Sequence, residues 1–295
     1  MSYAFIRDHV ASFPLQGMCE VLGVSRSGYY AWASRPESAR AVEDRAVAAE
    51  IRAAHEGSRG RYGSPRVHAE LRAHGRRVGR KRVARLMRGM GLSARRKRRF
   101  RRTTDSAHTF PVAPNLLGRD FTAAAPNRVW LADLTYIWTA EGWLYLAVVL
   151  DLFSRRVIGW AMADHLGHEL APAALAMAIA RERPAPGLVH HSDRGVQFAA
   201  HEYRKRLRQH GIVWSMSRKG DCWDNAPMES FYATLKGELV EPCDYLTRAE
   251  ARADVFQFLE GWYNRRRLHS ALGYLTPEQK MAAFHAAGSA AQHCP

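Results

Sequence analysis

The sequence predicts an α/β protein whose main domain is a mixed five-stranded sheet flanked by helices, preceded by all-α modules. Three observations carry that expectation. From Arg128 the side-chain pattern takes a period of two, with Val129, Leu131, Asp133, Thr135 and Ile137 on one strand face and Trp130, Ala132, Leu134, Tyr136 and Trp138 on the other. Two more strand-like runs follow after short turns, and then helices and strands alternate. Before residue 103 the texture is helical, with apolar residues spaced by three and four.

Length and charge limit the function classes. A chain of 295 residues is long enough for two or three modules, and 47% hydrophobic residues exclude a disordered chain. No apolar run reaches bilayer length, and the opening MSYAFIRDHV lacks the hydrophobic centre of a secretory signal, so a cytoplasmic, membrane-free protein is expected. The four cysteines, Cys19, Cys222, Cys243 and Cys294, show no paired CxxC or CxxH spacing, which argues against a disulfide framework or structural zinc. Residues 59–102 hold 18 of the 44 Lys and Arg residues and one acid, Glu70, whereas the rest of the chain holds 26 bases against 27 acids. The whole net charge of +16 therefore sits in one segment, and its natural partner is a polyanion bound in a salt-dependent way.

Taken in order, Leu15, Met18, Cys19 and Leu22 predict a helix that Gly23 stops. Ser25 caps a second one bearing Tyr29, Tyr30 and Trp32, an arrangement like a helix-turn-helix. Residues 38–56 are Ala- and charge-rich and predict a long helix. Ser64 and Pro65 supply an N-cap and first-turn proline for the next, which bears Val67 and Leu71 and ends at Gly75. Gly79 to Met90 predicts another, with Val83, Leu86, Met87 and Met90 buried and Arg80, Lys81, Arg82, Arg85 and Arg88 mostly outward. Arg95, Arg96, Lys97, Arg98 and Arg99 then form a basic arm, too repulsive to fold without an anion against it. Residues 103–126 lack periodicity and are expected to be a linker.

Past the first strand, Glu141-Gly142 turns into a second over Trp143 to Asp151, and Phe153-Ser154 into a third over Val157 to Met162. A helix over Ala171 to Arg183, a strand over Leu188 to Ser192, a helix over Ala199 to His210 and a strand over Ile212 to Met216 follow. Asp221 to Asn225 leads into a helix with Asn225 as N-cap, Pro227 in its first turn and Met228, Phe231, Leu235 and Leu239 as its core stripe. Glu229, Tyr232, Ala233 and Lys236 share a neighbouring face. Thr247 and Glu250 predict a capping box for a further helix to about Trp262. This order of elements is that of the ribonuclease H fold.

Three acids stand out. Asp133 interrupts an apolar strand, where Asp is depleted and costly to bury unpaired. Asp193 follows a short apolar strand, and Glu229 opens a helix with 35 residues between them. In the ribonuclease H architecture an acid on the first strand, one at the end of the fourth and one on a later helix converge. His190, His191 and Cys222 form a conceivable second ligand set without paired spacing, and Ser192 beside His191 points away from it as a nucleophile would not.

The phrases W-L-A-D-L-T-Y at 130–136, L-D-L-F-S-R-R-V-I-G-W at 150–160, H-S-D-R-G-V-Q-F at 191–198 and D-C-W-D-N-A-P-M-E-S-F at 221–231 carry a resemblance. So do Y-N-R-R-R-L-H at 263–269 and the L-G-Y-L-T-P after it. In this order they resemble the larger-reading-frame (OrfB-type) transposase of a bacterial insertion sequence, a DDE enzyme of the retroviral-integrase superfamily. YGSPR at 62–66 is similar to the helical module that precedes the catalytic domain in such proteins.

The resemblance implies that Asp133, Asp193 and Glu229 are both the catalytic residues and the metal ligands, holding two Mg²⁺ ions for which Mn²⁺ can substitute. Two oxygen-loving ions would remove the repulsion among the acids and activate the attacking and leaving oxygens of strand cleavage and transfer. It also implies that Lys236 contacts DNA near the reacting end. The expected DNA-contacting set adds Arg80, Lys81, Arg82, Arg85, Arg95, Arg96, Lys97, Arg98, Arg99, Arg218, Lys219, Arg267 and His269.

Implied partners are double-stranded DNA with terminal inverted repeats, target DNA, further copies of the chain on DNA and an upstream-frame (OrfA-type) protein or fusion, in the nucleoid. The His/Cys zinc module of the retroviral relatives is absent here, and no zipper heptads are visible. The expected division is a helix-turn-helix-like module at 1–42, a basic DNA-binding module and arm at 43–102, the linker at 103–126, the catalytic domain at 127–285 and a tail at 286–295. Two readings compete: a non-catalytic DNA-binding regulator, and a ribonuclease H-like nuclease acting on RNA hybrids.

Overall fold

Strand β1 (Val129–Thr139) stands between two cores because its side chains alternate, as the pattern predicts. Leu131 and Ile137 are buried in one core, Trp130 and Ala132 in the other. It pairs antiparallel with β2 (Gly142–Asp151), which pairs antiparallel with β3 (Val157–Ala163) through a register shift between Val149 and Leu150. On its other side β1 pairs parallel with β4 (Val189–Ser192), and β4 parallel with β5 (Val213–Met216). The order is β3-β2-β1-β4-β5, the five-stranded mixed sheet expected. The computed structural model describes residues 2–94, 111–219 and 221–292.

Reaching a parallel partner requires a crossover, and α7 (Leu170–Glu182) provides it across β3 and β2. Its packing is close: a Cβ on Gly159 of β3 would lie 2.2 Å from the Ala174 carbonyl oxygen. Helices α8 (Val196–Ala199) and α9 (His201–Gln209) link β4 to β5. The opposite face is covered by α10 (Ala226–Leu235), a π-helical turn at Lys236–Val240, and α11 (Arg248–Phe256) with its π-helical continuation Gln257–Tyr263. Met228, Phe231, Leu235 and Leu239 are buried there, and the Thr247–Glu250 capping box forms. Helix α12 (Pro277–Gln292) follows.

At the N-terminus α2 (Leu15–Val21) and α3 (Arg26–Ala33) match the expected pair, with Gly23 at φ +63° and Ser25 accepting from the Gly28 N–H. A helix the sequence reading does not contain, α1 (Ser2–His9), completes their core by burying Ile6 against Met18, Cys19 and Tyr29. Next come α4 (Ala39–Gly57), α5 (Ser64–Ala73) and α6 (Arg80–Gly89), packed through Val47, Ile51, Val67, Leu71, Val83 and Met87. Gly63, not Ser64, occupies the N-cap of α5, without a side-chain bond.

This module does not swing free of the sheet domain. Tyr62 donates to the Arg266 carbonyl (3.0 Å) and accepts from the Leu268 N–H (2.9 Å), Arg66 donates to the Leu268 carbonyl (2.9 Å), and Arg61 lies over Trp262. The stretch expected as a linker is likewise attached over its described part, 111–126. Leu116 N–H donates to Ser215 Oγ and Met216 N–H to the Pro114 carbonyl, while Leu117, Phe121 and Ala123 pack on the sheet's core. Its bonds go to a strand edge and to side chains, so no period shows in the sequence. Among the described residues no helix is long and apolar enough to cross a membrane.

Candidate active site

The β1–β4 register brings two of the acids together. Ala132 faces Ser192 across the parallel pair, and Asp133 and Asp193 are the residues directly after them. Neighbouring strands lie roughly 5 Å apart, so the two carboxylates leave the sheet side by side. Asp193 begins a tight turn in which its Oδ1 accepts from the Gly195 N–H at 2.9 Å. A Cβ on Gly195 would stand 3.0 Å from that same oxygen.

Glu229 comes from the first turn of α10, and two hydrogen bonds on either side of it tie that helix to β1. Asn225 Nδ2 donates to the Ala132 carbonyl at 3.2 Å, and the Tyr232 hydroxyl donates to the Asp133 carbonyl at 2.6 Å. Both contacts bracket Asp133, and the sequence reading assigned neither. Asn225 holds the N-cap position but caps nothing with its side chain, having turned to the strand. Tyr232 was visible only as a member of Glu229's face; its partner is a backbone atom 99 residues away.

The electrostatics are those of crowded acids. Burial pushes the Asp133 carboxyl well above the usual carboxylate range, and the charges of Asp193 and then Glu229 push it further. The Leu134 N–H, 2.7 Å from Oδ1, and Lys236 act the other way. Lys236 Nζ lies 5.1 Å from the centre of the Tyr136 ring, and burial lowers its pKa despite the pull of Asp133. Among the described residues no trio of His, Cys, Asp or Glu side chains is already closed around one point as a metal cage. Asp193 and Glu229 both act on Asp133 by charge, and an all-carboxylate donor set fits a hard divalent cation.

The loop before α10 is fixed by a buried acid. Asp224 accepts from Arg218 N–H, Nε and Nη2 and from Arg119 Nε, which holds its carboxyl far below the usual range. His190 and His191, considered as ligands, are instead neutral packing groups: burial lowers them to about 3 and about 4. His190 bonds the Tyr203 hydroxyl, and His191 lies between Ser215 and Ser217. The Cys222 side chain is outside the described ones.

Comparison with known proteins gives the family. Two family models described as "Integrase core domain" match residues 123–222 and 210–277, and one described as "HTH-like domain" matches residues 41–100. Transposase InsF for insertion sequence IS3A of Escherichia coli (strain K12) is 44% identical over 281 residues, covering 95% of this chain and 98% of that one. The insertion element IS600 uncharacterized 31 kDa protein of Shigella sonnei is 47% identical over 268 residues, 91% of this chain and 98% of its own. The chain belongs to the IS3 family of insertion-sequence transposases. A more distant likeness is to the HTLV-2 integrase catalytic core domain in complex with magnesium, with 18% identity and a TM-score of 0.42 over 54% of this chain and 98% of that one.

The transposase divides its expected DNA-contacting residues into two groups. Arg80, Lys81 and Lys219 are exposed. Four others are engaged within the protein. Arg82 bonds Asp44 and Glu43, Arg85 bonds Asp44, and Arg218 bonds Asp224 and Asp221. Arg267 is 4% exposed and donates to Glu238 through Nε and Nη2. His269, 8% exposed, packs edge-on to Tyr263, and burial lowers it to about 3. Arg267 and His269 stand in an interior wall rather than on the outer surface, because a buried acid and an aromatic ring draw them inward. Arg95, Arg96, Lys97, Arg98 and Arg99 lie outside the described residues. The HTH-like match falls on the second helical module rather than the first.

Proposed function

We propose that the transposase cuts the DNA strands at its element's ends and joins the freed 3′-hydroxyl to target DNA at a DDE triad of Asp133, Asp193 and Glu229. The observation that carries this reading is the β1–β4 register that sets Asp133 beside Asp193, where burial and then the charges of Asp193 and Glu229 push the Asp133 carboxyl up. Such strain has no stabilising use and marks a place where positive charge arrives.

Asp133 and Asp193 would hold Mg²⁺, or Mn²⁺ in its place, with Glu229 completing the set. Bound as a pair, the ions would supply Lewis-acid stabilisation to the attacking and leaving oxygens of an in-line displacement. The chain's own residues do the positioning. Paired strands fix the two aspartates, Asn225 and Tyr232 fix the helix bearing Glu229, and Lys236 offers its ammonium to a phosphate near the reacting end. No side chain needs to form a covalent intermediate.

The substrates on this reading are double-stranded DNA with terminal inverted repeats and a target duplex, with several copies assembled on them in the nucleoid and an upstream-frame protein as partner or fusion. The test is nicking of DNA carrying the element's ends, with and without Mg²⁺. Asp193→Asn is expected to abolish cleavage and leave DNA binding intact. A variant cutting at near the wild-type rate removes Asp193 from the triad, cutting confined to RNA–DNA hybrids replaces the substrate, and a wild-type chain that binds the ends without cutting is a regulator.

A further inference from the structure

On a different flank of α10 from Glu229 lies a cavity of about 380 Å³, within the range of sites that take a small molecule or part of a larger one. Its charged wall comes from separate parts of the chain: Arg66 of the helical module, Arg155 of the β2–β3 turn, and Arg267 and His269 beyond the Gln257–Tyr263 turn. The first turn of α10, at Ala226 and Pro227, also borders it, adding the positive end of a ten-residue helix.

The three guanidiniums differ in how they are matched. Arg267 is bonded to Glu238. Arg66 and Arg155 donate to backbone carbonyls, of Leu268 at 2.9 Å and Phe121 at 3.3 Å, and form no ion pair among the described residues. The acids whose charge reaches them are engaged elsewhere: Glu238 with Arg267, and Asp151 with Ser154 and Asn127. Burial lowers the pKa of both arginines, against the weaker opposite pull of Glu238 on Arg66 and of Tyr263 and Asp151 on Arg155.

His269 adds an independent observation. The residue is 8% exposed, and its Nε2 has no hydrogen-bond partner. Arg267 Nη1 lies 3.5 Å from Nδ1, so Nε2 is the ring nitrogen left over, and in the tautomer that carries its hydrogen there it can donate to a ligand in the cavity. Buried polar atoms are normally satisfied, so an unmatched one at a cavity wall, beside two guanidiniums with no ion pair among the described residues, points to a ligand, and the guanidiniums make that ligand an anion.

We propose that this cavity takes a phosphodiester of a bound DNA strand, held by Arg66, Arg155 and the His269 N–H. Guanidinium forks match the two free oxygens of such a group. Because Arg66 belongs to the helical module and Arg155 to the sheet domain, the phosphate adds a bond across the seam between them and couples strand engagement to their alignment. The strand as the source of the phosphate rests on the function proposed above; the anion site itself does not.

The test uses the full chain and end DNA carrying a single neutral methylphosphonate linkage, moved one position at a time. At one position the neutral linkage is expected to weaken wild-type binding about tenfold or more, with no further loss in Arg66→Gln or Arg155→Gln and a partial loss in Arg155→Lys. Equal effects in wild type and both variants at every position overturn the proposal.

Thermal unfolding without DNA, in inorganic phosphate against chloride at matched ionic strength, covers the anion site alone. A higher Tm in wild type and none in Arg155→Gln supports it, while no rise, or the same rise in both, removes it. A phosphate effect that end DNA does not displace overturns the strand as the ligand. Cleavage is read separately: a wild-type chain unable to cut defeats the proposed function and leaves the phosphate result standing.

Discussion

On one flank of α10 three carboxylates, Asp133, Asp193 and Glu229, stand with Lys236 as the cation acting on Asp133; on another, three arginines line a cavity and one of them is bonded to Glu238. Both are local excesses of one charge, but the fold treats them differently. Among the described residues the Asp133 carboxylate accepts from the N–H of its own neighbour, Leu134. Asp151, a buried acid of the same sheet, shows what a structural carboxylate receives, with Ser154 N–H at 2.8 Å, Ser154 Oγ at 2.6 Å and Asn127 N–H at 2.9 Å. The contrast sets an acid satisfied by the fold apart from the one proposed for the triad.

The sharpest way to break that contrast is to neutralise one member of each cluster. Asp133→Asn should lower single-turnover nicking at least about a thousandfold, the scale of losing a transition-state electrostatic contact. It should also raise the stability of the metal-free chain by about 1 kcal/mol, because a repulsion disappears. Urea unfolding in chelator checks the second effect, and a fall in stability would place Asp133 with Asp151 as a structural group.

Arg267→Met should do the reverse. It strands the buried Glu238 carboxylate without its partner and should cost about 3–5 kcal/mol. The double change Arg267→Met with Glu238→Gln should recover most of that in chemical denaturation. A loss below about 1 kcal/mol for the single variant would mean that water reaches the pair as it reaches a surface ion pair.

A smaller effect appears with pH. His190 and His269 are lowered to about 3 and His191 to about 4, against an ordinary value near 6.5 in the unfolded chain. The unfolded state therefore takes up protons first as pH falls. The stability these rings contribute is complete above about 6.5 and is lost progressively toward pH 4 and then 3. Asp224, held low by Arg218 and Arg119, keeps its contribution down to its ordinary value of 3.8, just below the range from pH 7 to 4 in which the histidines act. Tm measured from pH 7 to 4 should fall, His191→Asn should flatten part of the fall, and a level profile would contradict neutral burial.

Legibility in the sequence followed the range of each residue's partners. Asp133 was readable because an acid in an apolar strand breaks a local pattern, and the alternation around it assigned both cores. The arginines were not readable in the same way. Whether a guanidinium meets a phosphate or a carboxylate depends on a distant residue, such as Asp44, 38 positions before Arg82, or Glu238, 29 before Arg267. Asn225 and Tyr232 escaped because they bond carbonyl oxygens, which every residue has and which leave no trace in side-chain spacing. Helix α1 escaped because eight residues with one buried member carry too little period to register.

The same reasoning separates neighbours on α6. Lys81 is exposed, while Arg82 is held by Asp44 at 2.6 Å and Glu43 at 2.9 Å. Lys81→Gln should change stability by less than about 0.5 kcal/mol, since nothing in the fold depends on it. Its effect should be confined to DNA, reducing the dependence of log affinity on log salt by about one counter-ion and weakening all sequences alike. Arg82→Gln should lower stability more than Lys81→Gln does, through the α4–α6 contact, and change the salt slope less. Binding titrations at several salt concentrations, paired with unfolding curves, check both. If Arg82→Gln reduces the slope as much as Lys81→Gln does, the ion pairs to α4 open when DNA arrives, and Arg82 belongs with the contacting residues after all.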